Sequence, residues 1–274
     1  NDNAPVFTSP DAVSVAENTN RLETDKPKSQ DQPVETITYA IAGGAEAGFV
    51  GMDGARGGVA WVSPPEYMEL SERVRSFETV GAFRGEQASI GGDEQPERVN
   101  SAFVTWQMFD VLRVAPRFGR TFSEEEDLPG ATPVAVLSQE LWQRSFGGDP
   151  GIIGRDIDVN GAMTTVIGVM PDGFDVHEVG AEIWLPMGLD WSNRTNHGNH
   201  FLYLVARLAP GVTVTSASAD LTDFVQRWPD EVQAGHIHPE NHPLNLVQLQ
   251  EEVVGDIRPA LLVLLGAVGF VLLI

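Results

Sequence analysis

The chain of 274 residues contains no cysteine. That excludes disulfides, thiolate metal sites and cysteine nucleophiles. Positive charge is scarce: 17 Lys and Arg stand against 39 Asp and Glu, a formal net charge of -22. Phosphate backbones are gripped by clusters of basic side chains, and no basic run is present, so nucleic acid is excluded as a partner. The acidity serves solubility, and carboxylates also suit hard cations such as calcium. Catalytic signatures are missing too. No G-x-x-x-x-G-K-[ST] loop offers a phosphate cradle, and neither G-x-S-x-G nor H-E-x-x-H occurs. Glu251 and Glu252 are adjacent, so on a helix or strand they point apart and form no glycosidase-like pair. What the chain has in quantity is apolar: 42% of its residues are hydrophobic, enough to build a core and to exclude wholesale disorder.

Residues 1–60 are rich in Asn, Asp, Pro, Thr and Gly, and short alternating runs at 12–16 and 36–41 predict antiparallel β-structure. From Trp61 the texture changes. Pro64 and Pro65 can open a helix, and Tyr67, Leu70, Val74 and Phe77 recur at helical spacing, which predicts a helix over 65–75. Alternation at 79–83 and 97–104 predicts strands. Ser123 and Glu126 fit a capping box, and the acidic run 124–127 reads as a solvated surface turn. A strand is expected at 134–137, then a helix capped by Ser138 with Leu141, Trp142 and Phe146 inward, ended by Gly147-Gly148. Asn160-Gly161 marks a hairpin. A two-residue turn there sets Val159 opposite Ala162 and Ile157 opposite Thr164; a longer loop would shift that register. Residues 201–208 predict a buried strand. A helix capped by Thr215 or Ser216 follows and stops at Pro229, and a last strand is expected at 244–249. Strands and helices mix without βαβα order, which gives an α+β class with mostly antiparallel pairing. Residues 260–274 hold no charged side chain and are still apolar at Ile274; the stretch is expected to be the start of a transmembrane helix.

Two histidine groups stand in Pro/Asn/Gly-rich loops: His236, His238 and His242, and His197 with His200. Such spacings can hold zinc or copper, but histidines in loops of this kind are ordinarily solvated, and that is the reading adopted.

The run Asp2-Asn3-Ala4-Pro5-Val6-Phe7, followed by Val15-Ala16-Glu17-Asn18, resembles the junction between cadherin-like repeats. Residues 36–41, Gly43, Gly44 and Phe49 extend the likeness. The resemblance implies a partial all-β segment over 1–60 with Asp2, Asn3 and Glu17 as calcium ligands. Three oxygen ligands fall short of the six to eight that calcium takes.

From residue 62 a second resemblance covers most of the chain. VSPPEYMELSERVRSFETVGAF (62–83), ERVNSAFVTWQMFDVLRVAPRFGRTFSEEED (97–127), LSQELWQRSFGGDPGIIGRDIDVNGAMTTVIGVMPDGF (137–174), IWLPM (183–187) and FLYLVARLAPGVT (201–213) resemble the MacB-like periplasmic core domain of ABC-transporter permeases, in the expected order. That resemblance implies a two-lobed α+β core over 61–250, then a juxtamembrane segment and membrane helix over 251–274. It implies a location on the periplasmic side of the bacterial cytoplasmic membrane. The implied partners are a cognate ATPase subunit, a periplasmic adaptor and a second copy in a homodimer or pseudo-dimer. The function implied is non-catalytic, coupling ATP-driven helix motion to extracytoplasmic partners or substrate. The second reading is a calcium-dependent adhesion module, which heat on calcium titration would distinguish.

Overall fold

The computed structural model describes residues 47–54, 58–60, 62–91, 96–175, 180–232 and 244–248. All lie in the compact unit Thr36–Ile274. Eleven strands form one sheet: β1 (Ala47–Gly54), β2 (Gly58–Ala60), β3 (Phe77–Ile90), β4 (Glu97–Val104), β5 (Phe118–Gly119), β6 (Val134–Leu137), β7 (Asp156–Val159), β8 (Ala162–Val169), β9 (Ile183–Pro186), β10 (Tyr203–Leu208) and β11 (Leu244–Gln248). Their order is β11-β1-β10-β3-β4-β9-β6-β8-β5, with β2 on β1 and β7 joined to β3 and β8. Pairing is antiparallel except for β4–β9 and β6–β8. The fold is therefore α+β, as the sequence pattern predicts. β1 and β2 precede residue 61 and still pair into this sheet, β1 lying between β10 and β11.

Among the described residues four α-helices cover the sheet: α1 (Pro64–Arg73), α2 (Gln107–Leu112), α3 (Gln139–Phe146) and α4 (Val214–Val232). Side chains alternate across a strand, so each strand feeds two cores. Along β10, Leu204, Ala206 and Leu208 pack with Tyr67 and Leu70 of α1 and Phe224 and Trp228 of α4, while Val205 faces Met108 and Leu112 of α2. Along β6, Val134 and Val136 join the α2 side, while Ala135 and Leu137 pack with Leu141 and Trp142 of α3. One face thus carries a single core around α2. The other carries two separate cores, one under α1 and α4 and one under α3.

Local expectations hold where short-range chemistry decides. The Ser138 hydroxyl accepts the Leu141 amide at 3.0 Å, Trp142 is buried, and Gly147 ends α3 at φ 65°. The hairpin takes the two-residue turn, with Asn160 and Gly161 at φ 54° and 82° and Val159 opposite Ala162, Ile157 opposite Thr164. Three expectations are corrected. α4 is capped by Thr213 and not by Thr215 or Ser216: it begins at Val214, and the Thr213 hydroxyl accepts the Ser216 amide at 3.1 Å. α1 ends at Arg73, because Val74 is already extended and Phe77 opens β3. α4 does not stop at Pro229 but runs through it to Val232. A proline inside a helix deprives one carbonyl of its donor. Here the preceding turn is anchored by fully buried Trp228, and α4 packs on β11.

Candidate functional site

Among the described residues a buried polar cluster lies where α1 meets the segment that joins β9 to β10. α1 presents Glu66, Glu69 and Glu72 at three-residue steps along one face. The segment presents Arg194, His197 and His200 at the same steps, running the other way. His200 Nε2 lies 3.2 Å from Glu66 Oε1 and 3.0 Å from its Oε2. His197 Nε2 lies 3.0 Å from Glu69 Oε1. Arg194 grips Glu72 with both terminal nitrogens, at 2.7 and 2.5 Å. The result is a ladder of three paired side chains. Its inner rungs are buried, with Glu66 at 0% and Glu69 at 4% exposure, while Glu72 sits at the surface.

Each inner carboxylate has a further donor. The Ser63 amide donates to Glu66 Oε2 at 2.8 Å, which fastens the first turn of α1. The Trp228 indole N–H donates to the other oxygen of Glu69. Glu69 therefore joins three elements: α1, the β9–β10 segment and α4. At the outer rung the hydrogen bond from Arg194 holds the Glu72 carboxyl below the usual range, against a smaller opposing effect of burial. Breaking one partner of a buried pair costs on the order of 3–5 kcal/mol, while an exposed rung is worth about 1 kcal/mol or less.

A second polar node lies in the acidic run. Asp127, expected on a solvated turn, is 4% exposed. Its carboxylate accepts the backbone amides of Trp106 at 3.0 Å and Gly188 at 2.8 Å. It thus staples the start of α2 to the end of β9. Burial pushes its carboxyl up to about 6, and the amides of Gly188, Trp106 and Met187 oppose that rise. Around this staple lies an open groove of about 500 Å³, lined by Phe103, Leu128, Pro133, Val159, Leu185 and Pro186 among others. Leu128 is half-exposed at its rim.

The residues proposed from sequence distribute unevenly over these sites. His197 and His200 are not solvated loop histidines; the structure brings them to Glu69 and Glu66, which the sequence reading left out. Among the described residues no group of three or more His, Asp or Glu side chains is placed to hold a metal ion. The signal that could have found the ladder is the matched spacing of E-x-x-E-x-x-E at 66–72 and R-x-x-H-x-x-H at 194–200. Asp2, Asn3 and Glu17, and His236, His238 and His242, lie outside the described residues, as does the apolar stretch 260–274. Among the described residues no helix is long and apolar enough to cross a membrane.

Comparison with known proteins agrees with this architecture. The sequence profile of the MacB-like periplasmic core domain matches residues 17–224. The macrolide export ATP-binding/permease protein MacB of Rhodospirillum rubrum is 24% identical over 176 residues, 62% of this chain and 25% of that protein. The chain thus spans about a quarter of the length of that relative. The fold is similar to the crystal structure of the periplasmic region of MacB from Actinobacillus actinomycetemcomitans, with a TM-score of 0.55 at 14% identity over 81% of this chain and 95% of that one. It is also similar to the extracellular domain of the noncanonic ABC-type transporter YknZ from Gram-positive bacteria, with a TM-score of 0.51 at 13% identity over 73% of this chain and 99% of that one. With the profile match covering most of its length, the chain belongs to the family of MacB-like periplasmic core domains.

Proposed function

We propose that this chain is the extracytoplasmic part of an ABC-type permease and that it acts as a mechanical coupler without catalysing a reaction. The observation that carries the reading is the family match over residues 17–224. ATP-driven motion of membrane helices, powered by a cognate ATPase subunit on the cytoplasmic side, passes into the sheet and reaches a periplasmic adaptor or the transported substrate. The working unit is a homodimer or pseudo-dimer anchored in the bacterial cytoplasmic membrane. Residues 260–274, apolar throughout, supply the membrane connection beyond β11. The Glu69 junction suits this role. It fixes α4, which precedes β11, to α1 and to the β9–β10 segment, so displacement at the membrane end reaches the lobe as a unit.

The test uses the complete permease with its ATPase in membrane vesicles. The present chain has no cysteine, so Leu128→Cys and Met163→Cys each add one thiol to it. Both positions are exposed, Leu128 in the turn after Asp127 and Met163 on β8. Labelling rates at one or both sites are expected to differ severalfold between ATP-bound and nucleotide-free states. Identical rates at both sites in the two states would contradict coupling, and turnover of a substrate by the isolated chain would contradict the non-catalytic assignment.

A further inference from the structure

Part of the sheet closes on itself. Pairings run from β3 to β4, β9, β6, β8 and β7, and β7 returns to β3. The closing seam is the shortest of these pairings, a single residue pair of Ile90 with Val159. Hydrogen bonds around the hairpin turn reinforce it. The Gly91 amide donates to the Asp158 carbonyl at 3.1 Å, and the Asn160 amide donates to the Ser89 carbonyl at 2.9 Å. The Ser89 amide donates back to Asn160 Oδ1 at 2.8 Å. The turn between β7 and β8 is thus also the pin that joins β7 to β3.

Asn160 is the one asparagine of the sequence that precedes a glycine. In that order the backbone nitrogen of the glycine can attack the asparagine side-chain carbonyl carbon, because no Cβ crowds its approach. Two contacts in this turn match what the attack requires. The Gly161 N–H, whose proton must leave, donates to Asp158 Oδ1 at 2.9 Å, within the reach of a general base. Asn160 Oδ1, which gains negative charge as the bond forms, already accepts the Ser89 amide at 2.8 Å, the range of an oxyanion donor. Only the oxygen of a side-chain amide accepts an N–H, so this contact fixes which atom faces Ser89. Asn160 and Gly161 are exposed to water, and nothing stands within 4 Å of where a Gly161 Cβ would be.

We propose that this turn is a self-modification site at which Asn160 deamidates, with Asp158 taking the proton and the Ser89 amide holding the oxyanion. The Gly161 nitrogen bonds to Asn160 Cγ while its proton passes to Asp158. The tetrahedral carbon then expels the side-chain nitrogen, which takes up that proton and leaves as ammonia, and a succinimide remains. Water opens the ring at either carbonyl. Opening at Cγ gives aspartate on an unaltered main chain. Opening at the Asn160 main-chain carbonyl gives isoaspartate, which adds a carbon to the main chain within the turn. The net change is amide and water to carboxylic acid and ammonia, with no oxidation or reduction. Isoaspartate no longer fits the turn that sets Val159 opposite Ala162, so that product loosens the seam between β3 and β7. The inference concerns the folded chain alone and stands whether or not the transport reading does.

The test incubates the 274-residue chain at neutral pH and follows aspartate and isoaspartate at position 160 by peptide mapping and mass spectrometry. It compares the folded chain with the same chain unfolded in guanidinium chloride, and with the folded variant Asp158→Asn. Asparagine at 158 keeps an acceptor for the Gly161 amide and removes the base. The folded chain is expected to react at 160 about tenfold faster than the unfolded chain, because both contacts exist only in the fold. Asp158→Asn is expected to slow the folded reaction by about tenfold. A folded chain that reacts no faster than the unfolded one, or a variant with an unchanged rate, would overturn the inference. Should the variant fail to fold, the comparison of folded with unfolded unaltered chain decides alone.

Discussion

Asp127 shows how one side chain can look superficial in sequence and be structural in three dimensions. It follows Glu124, Glu125 and Glu126, and a run of four acids ordinarily faces water. Glu126 does take a surface partner, Arg120 at 2.6 and 2.7 Å. Asp127 turns inward because the short 3-10 turn Glu125–Asp127 aims it at the amides of Trp106 and Gly188. Its folded carboxyl, pushed up to about 6, exceeds the ordinary value of 3.8. The folded chain therefore holds that proton more tightly than the unfolded chain. Its contribution is fully present below about pH 4 and is lost as pH rises through about 6, a difference on the order of 3 kcal/mol. Urea unfolding at pH values from about 4 to 7 should show the gap between the unaltered chain and Asp127→Asn shifting in that direction. Parallel curves for the two chains would refute the assignment. Glu69 makes the complementary point: it accepts from His197 and Trp228 on two different elements, and nothing in its local sequence announces either partner.

At the scale of elements, glycines separate turn chemistry from close packing. Gly161 sits at φ 82° in the hairpin, with nothing within 4 Å of where a Cβ would stand. Gly168 lies in β8 where the register with β6 shifts, and a Cβ there would stand 2.3 Å from the Arg120 carbonyl oxygen. Gly161→Ala should cost about 1 kcal/mol through backbone strain alone. Gly168→Ala should cost about 3 kcal/mol, because β5 and β8 must move apart. Urea denaturation ranks the two; equal costs, or the reverse order, would contradict the packing described here. The same contrast explains what could be read in advance. The Ser138 cap, the Gly147 stop and the Asn160-Gly161 turn are settled by residues next to one another, and each appears where the spacing places it. Sheet order is settled by pairs far apart in the chain. No local pattern shows that β4 runs parallel to β9, or that β3 continues past the alternation at 79–83 to Ile90, a strand of 14 residues. The helix through Pro229 was missed for a related reason: the proline signal is local, whereas the Trp228 anchor that opposes it comes from packing against α1.

The whole molecule is organised by a sheet that serves both faces. β10 and β3 lie near its middle, flanked by α1 and α4 on one face and α2 on the other, and Arg207 of β10 fastens the last turn of α2 through the Val111 carbonyl. The family resemblance was legible because its motifs run in order over a long stretch, and most of its residues are scaffold: a cap, a core tryptophan, turn glycines. The ladder, which couples the elements, was not legible because its two halves stand more than a hundred residues apart. The central claim is that this scaffold works outside the cytoplasmic membrane. The most direct measurement expresses the complete permease with Leu128→Cys in an otherwise cysteine-free background and exposes intact spheroplasts to a membrane-impermeant maleimide. Labelling in intact spheroplasts, equal to that after lysis, is the predicted result; labelling that appears only after lysis would place the domain in the cytoplasm and contradict the account.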